Sequence, residues 1–125
     1  MATILIVDDE RPMRQFLVAA FEQEGHQVLE ASHGRQALNI LAATSAHPDI
    51  VISDVMMPVV GGVELCSVLK ADPSTADIPV VLMSAAYSRA STVTGADAII
   101  GKPFDLDMLD AVVQRLLSAH ERRTA

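Results

Sequence analysis

The 125-residue chain is poor in several residue types, and each shortage narrows its possible function. A single cysteine, Cys66, cannot form a disulfide within the chain, which fits a reducing cytoplasm. Three Phe and one Tyr offer little for base stacking. Acidic residues outnumber Lys and Arg by 16 to 9, and the net charge of −7 argues against direct nucleic-acid binding. No apolar run approaches the roughly 18 residues of a membrane span, and no secretory signal is recognisable, so we expect no membrane contact.

What the chain does contain is a regular alternation of β-branched apolar runs with amphipathic segments. The predicted strands are Ile4–Val7, Gln27–Ala31, Asp49–Ser53, Val80–Ser84 and Ala98–Gly101. The predicted helices are Arg11–Glu24, Gly34–Ala43, Val63–Ala71 and Asp105–Ala119. The Ser- and Thr-rich interval 85–95 leaves room for only a short or irregular helix between the last two strands. The order predicts one domain over 1–120, with a parallel sheet between two helical layers and a tail at 121–125.

Three acidic residues stand where two of the predicted buried strands end. Asp8 and Asp9 follow the first strand, and Asp54 follows the third. Because buried carboxylates are costly without a partner, a converging set of three predicts a hard divalent cation as the partner. Lys102, which follows the fifth strand, would complete a site that receives a phosphoryl group.

Each of these residues also has a simpler interpretation. Asp8 and Asp9 could cap the first helix, and Asp54 could be a turn residue at a strand end. Lys102 alone would be a surface charge, and Ser84 alone an ordinary strand terminus. Glu10 could shape a metal site through its charge or only favour the helix N-terminus.

Several motifs, taken in order, resemble those of the receiver domain of bacterial two-component response regulators. They are Val7-Asp8-Asp9-Glu10, Ser53-Asp54-Val55-Met56-Met57-Pro58, Ser84-Ala85, Gly95-Ala96-Asp97-Ala98 and Lys102-Pro103-Phe104. The resemblance implies a flavodoxin-like (βα)5 three-layer sandwich whose parallel strands have the order 2-1-3-4-5. Asp8, Asp9 and Asp54 would then lie in the crevice where the chain reverses direction.

The resemblance also implies a role for each site residue. Asp54 would accept a phosphoryl group from a phosphohistidine, with Mg²⁺ as the cofactor. Asp9 would bind the metal directly, Asp8 through water, Asp54 through one oxygen and Met56 through its main-chain carbonyl. Lys102 would balance charge, first on Asp54 and then on the phosphate.

The remaining implied features concern signalling. Ser84 would donate its hydroxyl to a phosphoryl oxygen, and the Lys102–Pro103 bond would be cis. The implied partners are a sensor histidine kinase or a histidine phosphotransfer protein and an unidentified downstream protein. The resemblance implies a cytoplasmic signalling module, not an enzyme, that is a monomer or a phosphorylation-dependent dimer.

Two features depart from the family pattern. Ile99 occupies the position in the fifth strand where receivers commonly carry Tyr or Phe, so the usual rotation of an aromatic ring cannot operate in its familiar form. The interval between Ser84 and Lys102 is about one helical turn short, and Tyr87 is a hypothetical substitute for the missing ring.

Two alternative functions remain open at this point. A receiver-like binding module could signal without phosphate, although it would not need the acids, Ser84 and Lys102. A Mg²⁺-dependent phosphatase would want an acid two residues after its nucleophile, where this chain has Met56. Flavin binding is disfavoured because Asp8, Asp9 and Glu10 would repel a phosphate.

Overall fold

The computed structural model describes residues 2–43, 47–57, 60–84 and 95–124, and within them the chain forms five strands and four helices. The strands are β1 (Thr3–Val7), β2 (Gln27–Ala31), β3 (Ile50–Asp54), β4 (Val80–Ser84) and β5 (Ala98–Gly101). The helices are α1 (Arg11–Gln23), α2 (Gly34–Ala43), α3 (Gly62–Ala71) and α4 (Leu106–Thr124). Among the described helices, none combines the length and apolar character needed to span a membrane.

All five strands are parallel, and their order in the sheet is β2-β1-β3-β4-β5. The predicted flavodoxin-like order is therefore confirmed. Since β1 lies between β2 and β3, the connections that leave β1 and β3 cover opposite faces and open a crevice at the carboxyl edge. Val7 pairs with Ser53 and Ser84 pairs with Gly101, so the strands end close to one line.

The strands are buried on both faces because their side chains alternate between two core layers. The layer beneath α1 and α4 takes Ile4, Ile6, Ile50, Ile52, Val81 and Met83. The layer beneath α2 and α3 takes Leu5, Val7, Val51, Val80 and Leu82. Cys66 is fully buried in the second layer, where it packs with these apolar side chains. The result is the predicted three-layer sandwich.

The last helix differs from its predicted end. It continues to Thr124, five positions beyond Ala119, so residues 121–124 are helical instead of forming a tail. No Gly or Pro interrupts this stretch, and its Glu and Arg residues are good helix formers. The predicted irregular helix between β4 and β5, with Tyr87, falls on residues 85–94, outside the described part of the chain.

The amino edge of β4 and β5 is joined to α3 by one lysine. The Lys70 ammonium group donates to the carbonyl oxygens of Ala76 (3.3 Å) and Ile78 (2.9 Å) and lies 2.9 Å from Asp97 Oδ2. The same carboxylate oxygen accepts the Val80 N–H at 2.8 Å. This network ties the start of both strands to the end of the helix.

Candidate functional site

Asp8 leaves β1 with its main chain still held by the sheet. Its N–H donates to Ala31 O at 3.1 Å, which continues the β1–β2 ladder for one more bond. Its side chain is fully buried, and Oδ1 accepts the Glu10 N–H at 2.9 Å. Since Glu10, not Asp8, is the N-cap residue of α1, the helix-capping interpretation of Asp8 does not describe its contacts.

Lys102 reaches the acidic residues from the end of β5. Its main-chain N–H donates a hydrogen bond to Ser84 O at 2.9 Å, and the peptide bond between Lys102 and Pro103 is cis, as the resemblance implied. Its Nζ lies 3.0 Å from Asp54 Oδ1, 3.7 Å from Glu10 Oε1 and 3.8 Å from Asp8 Oδ2. Only 18% of the lysine side chain is exposed, so its charge is directed at these carboxylates.

The burial of these groups shifts their protonation equilibria. Burial raises the pKa of Asp8 above its ordinary value, against the lowering effects of the Glu10 N–H and the Lys102 charge. Asp8 Oδ2 is buried and has no hydrogen-bond partner. Burial alone would lower the pKa of Lys102, but the hydrogen bond and charge of Asp54 outweigh it, and the pKa is raised. The lysine is therefore held as a cation beside an under-coordinated acid.

The carboxylates that converge most closely are those of Asp8, Glu10 and Asp54, with one oxygen of each within 4.8 Å of the others. Asp9 is exposed and lines an adjoining cavity of about 270 Å³ with Glu10, Asp54, Met56 and Lys102. The structure thus gives Glu10 the closer position and Asp9 a place on the cavity wall. Of the two interpretations of Glu10, a contribution to the acidic site fits its contacts better.

Ser84 and Met56, the other predicted site residues, lie at the same edge. Ser84 is the last residue of β4 and is only 2% exposed, next to Gly101 of β5. Met56 is 77% exposed and borders the cavity. Ile99, which stands where the family usually has an aromatic residue, is partly buried against the core layer beneath α2 and α3.

The loop after β3 is packed too closely for a side chain at Gly62. The Gly62 N–H donates to Val55 O at 2.9 Å, and a Cβ on Gly62 would overlap the carbonyl oxygen of Asp54. The same carbonyl accepts the Ser53 hydroxyl at 2.9 Å. The backbone of Asp54 is therefore fixed from two sides.

Sequence reasoning missed one residue that contacts the acidic segment. The Arg14 guanidinium donates from Nη1 to the main-chain oxygen of Asp8 at 2.7 Å and from Nε to Glu30 Oε1 at 3.0 Å. A main-chain acceptor leaves no pattern in the sequence, and Arg14 would have been assigned to the polar face of α1. A spacing of six residues after Asp8, one turn into the helix, is the only signal that could have suggested it.

A second cavity of about 350 Å³ lies between α2 and α3 and contains none of the predicted site residues. It is lined by Leu38, Leu41, Ala42, His47, Val68, Leu69, Asp72, Ser74 and Thr75. Among the described residues that line it, Asp72 is the one acid and none is a lysine. The chemistry that the sequence predicts is therefore at the carboxyl edge of the sheet.

A parallel sheet of order 2-1-3-4-5, with acids and a lysine at its carboxyl edge, defines the class of signalling receivers built on the flavodoxin-like fold. A family model described as the response regulator receiver domain matches residues 4–114, so the chain belongs to this family of two-component systems.

Three similar proteins agree with this assignment. The phosphate regulon transcriptional regulatory protein PhoB of Pseudomonas aeruginosa is 37% identical over 92% of the chain, which spans 51% of that regulator. The receiver domain of a signal transduction histidine kinase from Syntrophus aciditrophicus has a TM-score of 0.89 and 36% identity, covering 95% of this chain and 92% of its own. The response regulator TrrA of Thermotoga maritima, solved in complex with Mg²⁺-BeF, has a TM-score of 0.82 and 30% identity, with 93% and 99% covered.

Proposed function

We propose that Asp54 accepts a phosphoryl group from a phosphohistidine in a Mg²⁺-dependent reaction. The observation that carries this proposal is the 3.0 Å contact between Lys102 Nζ and Asp54 Oδ1, within the group of converging acids at the sheet's carboxyl edge. Asp54 is 6% exposed, yet it borders the open cavity that contains Asp9 and Glu10. Its carboxylate is therefore shielded from bulk water and still reachable by a donor.

The donor set fits a magnesium ion. The buried Asp8 Oδ2 lacks a hydrogen-bond partner, and every ligand available around it is an oxygen, as Mg²⁺ prefers. Asp8, Asp9, Asp54 and the Met56 carbonyl would hold the ion, and Glu10 is close enough to contribute. When bound, Mg²⁺ would offset the repulsion between the carboxylates and an anionic donor. The relative TrrA, which was solved with Mg²⁺-BeF, supports the same choice of ion.

The residues of the chain divide the reaction between them. A carboxylate oxygen of Asp54 attacks the phosphorus, an O–P bond forms, and the P–N bond to the donor histidine breaks. Lys102 is positioned to move from Asp54 to an oxygen of the transferred group because its ammonium already lies 3.0 Å from the carboxylate. Ser84, at the end of the neighbouring strand, would donate its hydroxyl to another of these oxygens.

The proposed partners follow from this chemistry. The donor is a sensor histidine kinase or a histidine phosphotransfer protein, and the phosphorylated domain acts through contacts with a downstream protein in the cytoplasm. We propose a signalling module, not a turnover enzyme, that is a monomer or a phosphorylation-dependent dimer and binds neither nucleic acid nor membrane directly. Ile99 requires that the output surface switch by a means other than the rotation of an aromatic ring at that position.

The test of the proposed function uses a small phosphodonor. On incubation with acetyl phosphate and Mg²⁺, we expect intact-mass spectrometry to show one labile phosphoryl adduct, and tandem mass spectrometry after borohydride reduction to place it on Asp54. Omission of Mg²⁺ should abolish the adduct. A wild-type protein that forms no adduct would contradict the proposal and favour a binding module that does not use phosphate. Sustained turnover of small phosphoesters would favour a phosphatase.

Replacement of Asp8 by Asn should stabilise the metal-free protein by about 1 to 2 kcal/mol, because it removes a buried charge that lacks full compensation. Burial raises the folded-state pKa of Asp8 above its ordinary value of 3.8. As the pH rises from 3.8 through the raised pKa, ionisation of Asp8 lowers the free energy of unfolding. The gain should therefore grow as pH rises above 3.8 and disappear below pH 3.8. Urea denaturation in EDTA measures it.

Asp9→Asn is the matched control, since it removes the same charge from an exposed position and should change stability much less. Added Mg²⁺ should reverse the order of stability, because the wild type gains binding free energy that Asp8→Asn largely loses. A metal-free Asp8→Asn protein less stable than the wild type at pH 7 would contradict the interpretation of Asp8 as a buried charge that lacks full compensation.

A further inference from the structure

Arg14 fixes the acidic segment between β1 and α1, which consists of Asp8, Asp9 and Glu10. We propose that Arg14 is a positioning residue that sets the Mg²⁺ affinity of the acceptor site, and that Glu30 holds Arg14 in place. The inference rests on the proposed function, since it concerns the same site. It assigns a role to two residues that lie outside the group of acids and Lys102.

The Asp8 carbonyl lies beyond the point where β2 can supply a hydrogen-bond donor. Beyond Ala31 this strand turns away, and the Ser32 N–H donates to Gln36 Oε1 at 2.6 Å. The Asp8 N–H still bonds to Ala31 O, but the strand that would serve the Asp8 carbonyl has ended. The Arg14 guanidinium supplies the donor at this point, at 2.7 Å. A side chain thus replaces the sheet as the partner of the Asp8 main chain.

Arg14 holds both ends of the acidic segment. Its main-chain N–H donates to Glu10 O at 3.0 Å, while its side chain binds Asp8 O. The peptide units of Asp8, Asp9 and Glu10 are therefore closed between two bonds from one residue. The Arg14 side chain is only 15% exposed, and its guanidinium is oriented by the Nε bond to Glu30 on β2. Its planar fork makes both side-chain bonds at once, which a lysine ammonium on a flexible stem would not reproduce.

A positioning role and a purely electrostatic role of Arg14 predict different effects on Mg²⁺ binding. The positive charge of Arg14 by itself opposes cation binding, so a purely electrostatic role predicts tighter Mg²⁺ binding when the charge is removed. Positioning predicts weaker binding when the fork is lost, even if the charge is kept. Partners that orient metal ligands in this way are typically worth 10- to 100-fold in affinity.

The experiment is a Mg²⁺ titration of the metal-free protein, followed by amide NMR shifts, for the wild type and three variants. In Arg14→Lys we expect the dissociation constant for Mg²⁺ to rise about tenfold. Arg35→Lys, a charge-preserving change at an exposed position on α2, should leave it unchanged. Glu30→Gln should raise it less, because the Asp8 bond remains.

The outcomes are distinct. An unchanged or lower dissociation constant in Arg14→Lys, with or without a loss of thermal stability, overturns the inference and leaves Arg14 with a structural role only. Should Arg14→Lys fail to fold, an unchanged constant in Glu30→Gln overturns it. Absence of Mg²⁺ binding in the wild type overturns the inference together with the proposed Mg²⁺ site.

Discussion

Replacement of Asp54 by Asn should leave a folded protein that forms no labile phosphoryl adduct with acetyl phosphate and Mg²⁺. An amide oxygen lacks the charge that makes the carboxylate a nucleophile, so the loss of labelling should be complete. Asn has the same shape, and its oxygen can still accept the hydrogen bond that Lys102 now donates to Asp54 at 3.0 Å. Intact-mass spectrometry measures the adduct, and circular dichroism checks the fold.

Asp77→Asn is the control for this prediction. Asp77 is exposed in the turn between α3 and β4, so its replacement should leave the adduct at the wild-type level. Equal labelling of Asp54→Asn and the wild type would place the phosphoryl group on a different residue. It would then remove Asp54 from the proposed function, whatever the metal dependence.

The Gly62→Ala substitution should destabilise the protein by about 2 to 3 kcal/mol, the upper part of the usual cost of overpacking. The added Cβ would overlap the carbonyl oxygen of Asp54 and approach the Val55 Cα to 3.0 Å, and both are backbone atoms. The better helix propensity of Ala, worth up to about 1 kcal/mol, would offset only part of this cost. Urea denaturation gives the change in the free energy of unfolding.

The matched control is Ser67→Ala, on the exposed face of the same helix, which should change stability by less than about 0.5 kcal/mol. Because relief of the overlap must move Asp54, we also expect Gly62→Ala to phosphorylate more slowly at a temperature where it is folded. A Gly62→Ala protein as stable as the wild type would show that the loop can shift, and that the backbone of Asp54 is less constrained than its contacts indicate.

Much of the fold could be predicted because the strands are buried on both faces. The run Val80–Met83 is apolar throughout and is followed by the polar Ser84, and the predicted limits of this strand, Val80–Ser84, match the structure. The observed β3 begins and ends one residue later than the predicted strand, because Asp54, although an acid, still pairs with Met83 of β4. The end of α4 was placed at Ala119 because the apolar stripe stops there, yet intrinsic propensity alone continues the helix to Thr124.

The site was predictable to the extent that it depends on topology. The carboxyl ends of parallel strands share one edge of the sheet. The strand topology therefore brings Asp8, Asp54 and Lys102 together. Whether Asp9 or Glu10 lies closer to the other acids depends on the main-chain path of the three residues between β1 and α1. No periodicity in the sequence predicts that path. Arg14 acts on a main-chain oxygen, which every residue possesses, so the sequence contains no mark of its partner.

The lysine network at the amino edge has a mechanical consequence for signalling. Lys70 and Asp97 join the beginnings of β4 and β5 to α3, while Ser84 and Lys102 stand at the opposite ends of the same two strands. The two strands therefore share an anchored base, and only their far ends carry the site. A change in charge at Asp54 would therefore displace the carboxyl ends of β4 and β5 while their amino ends stay in place. A partner protein that contacts both edges could detect this relative movement.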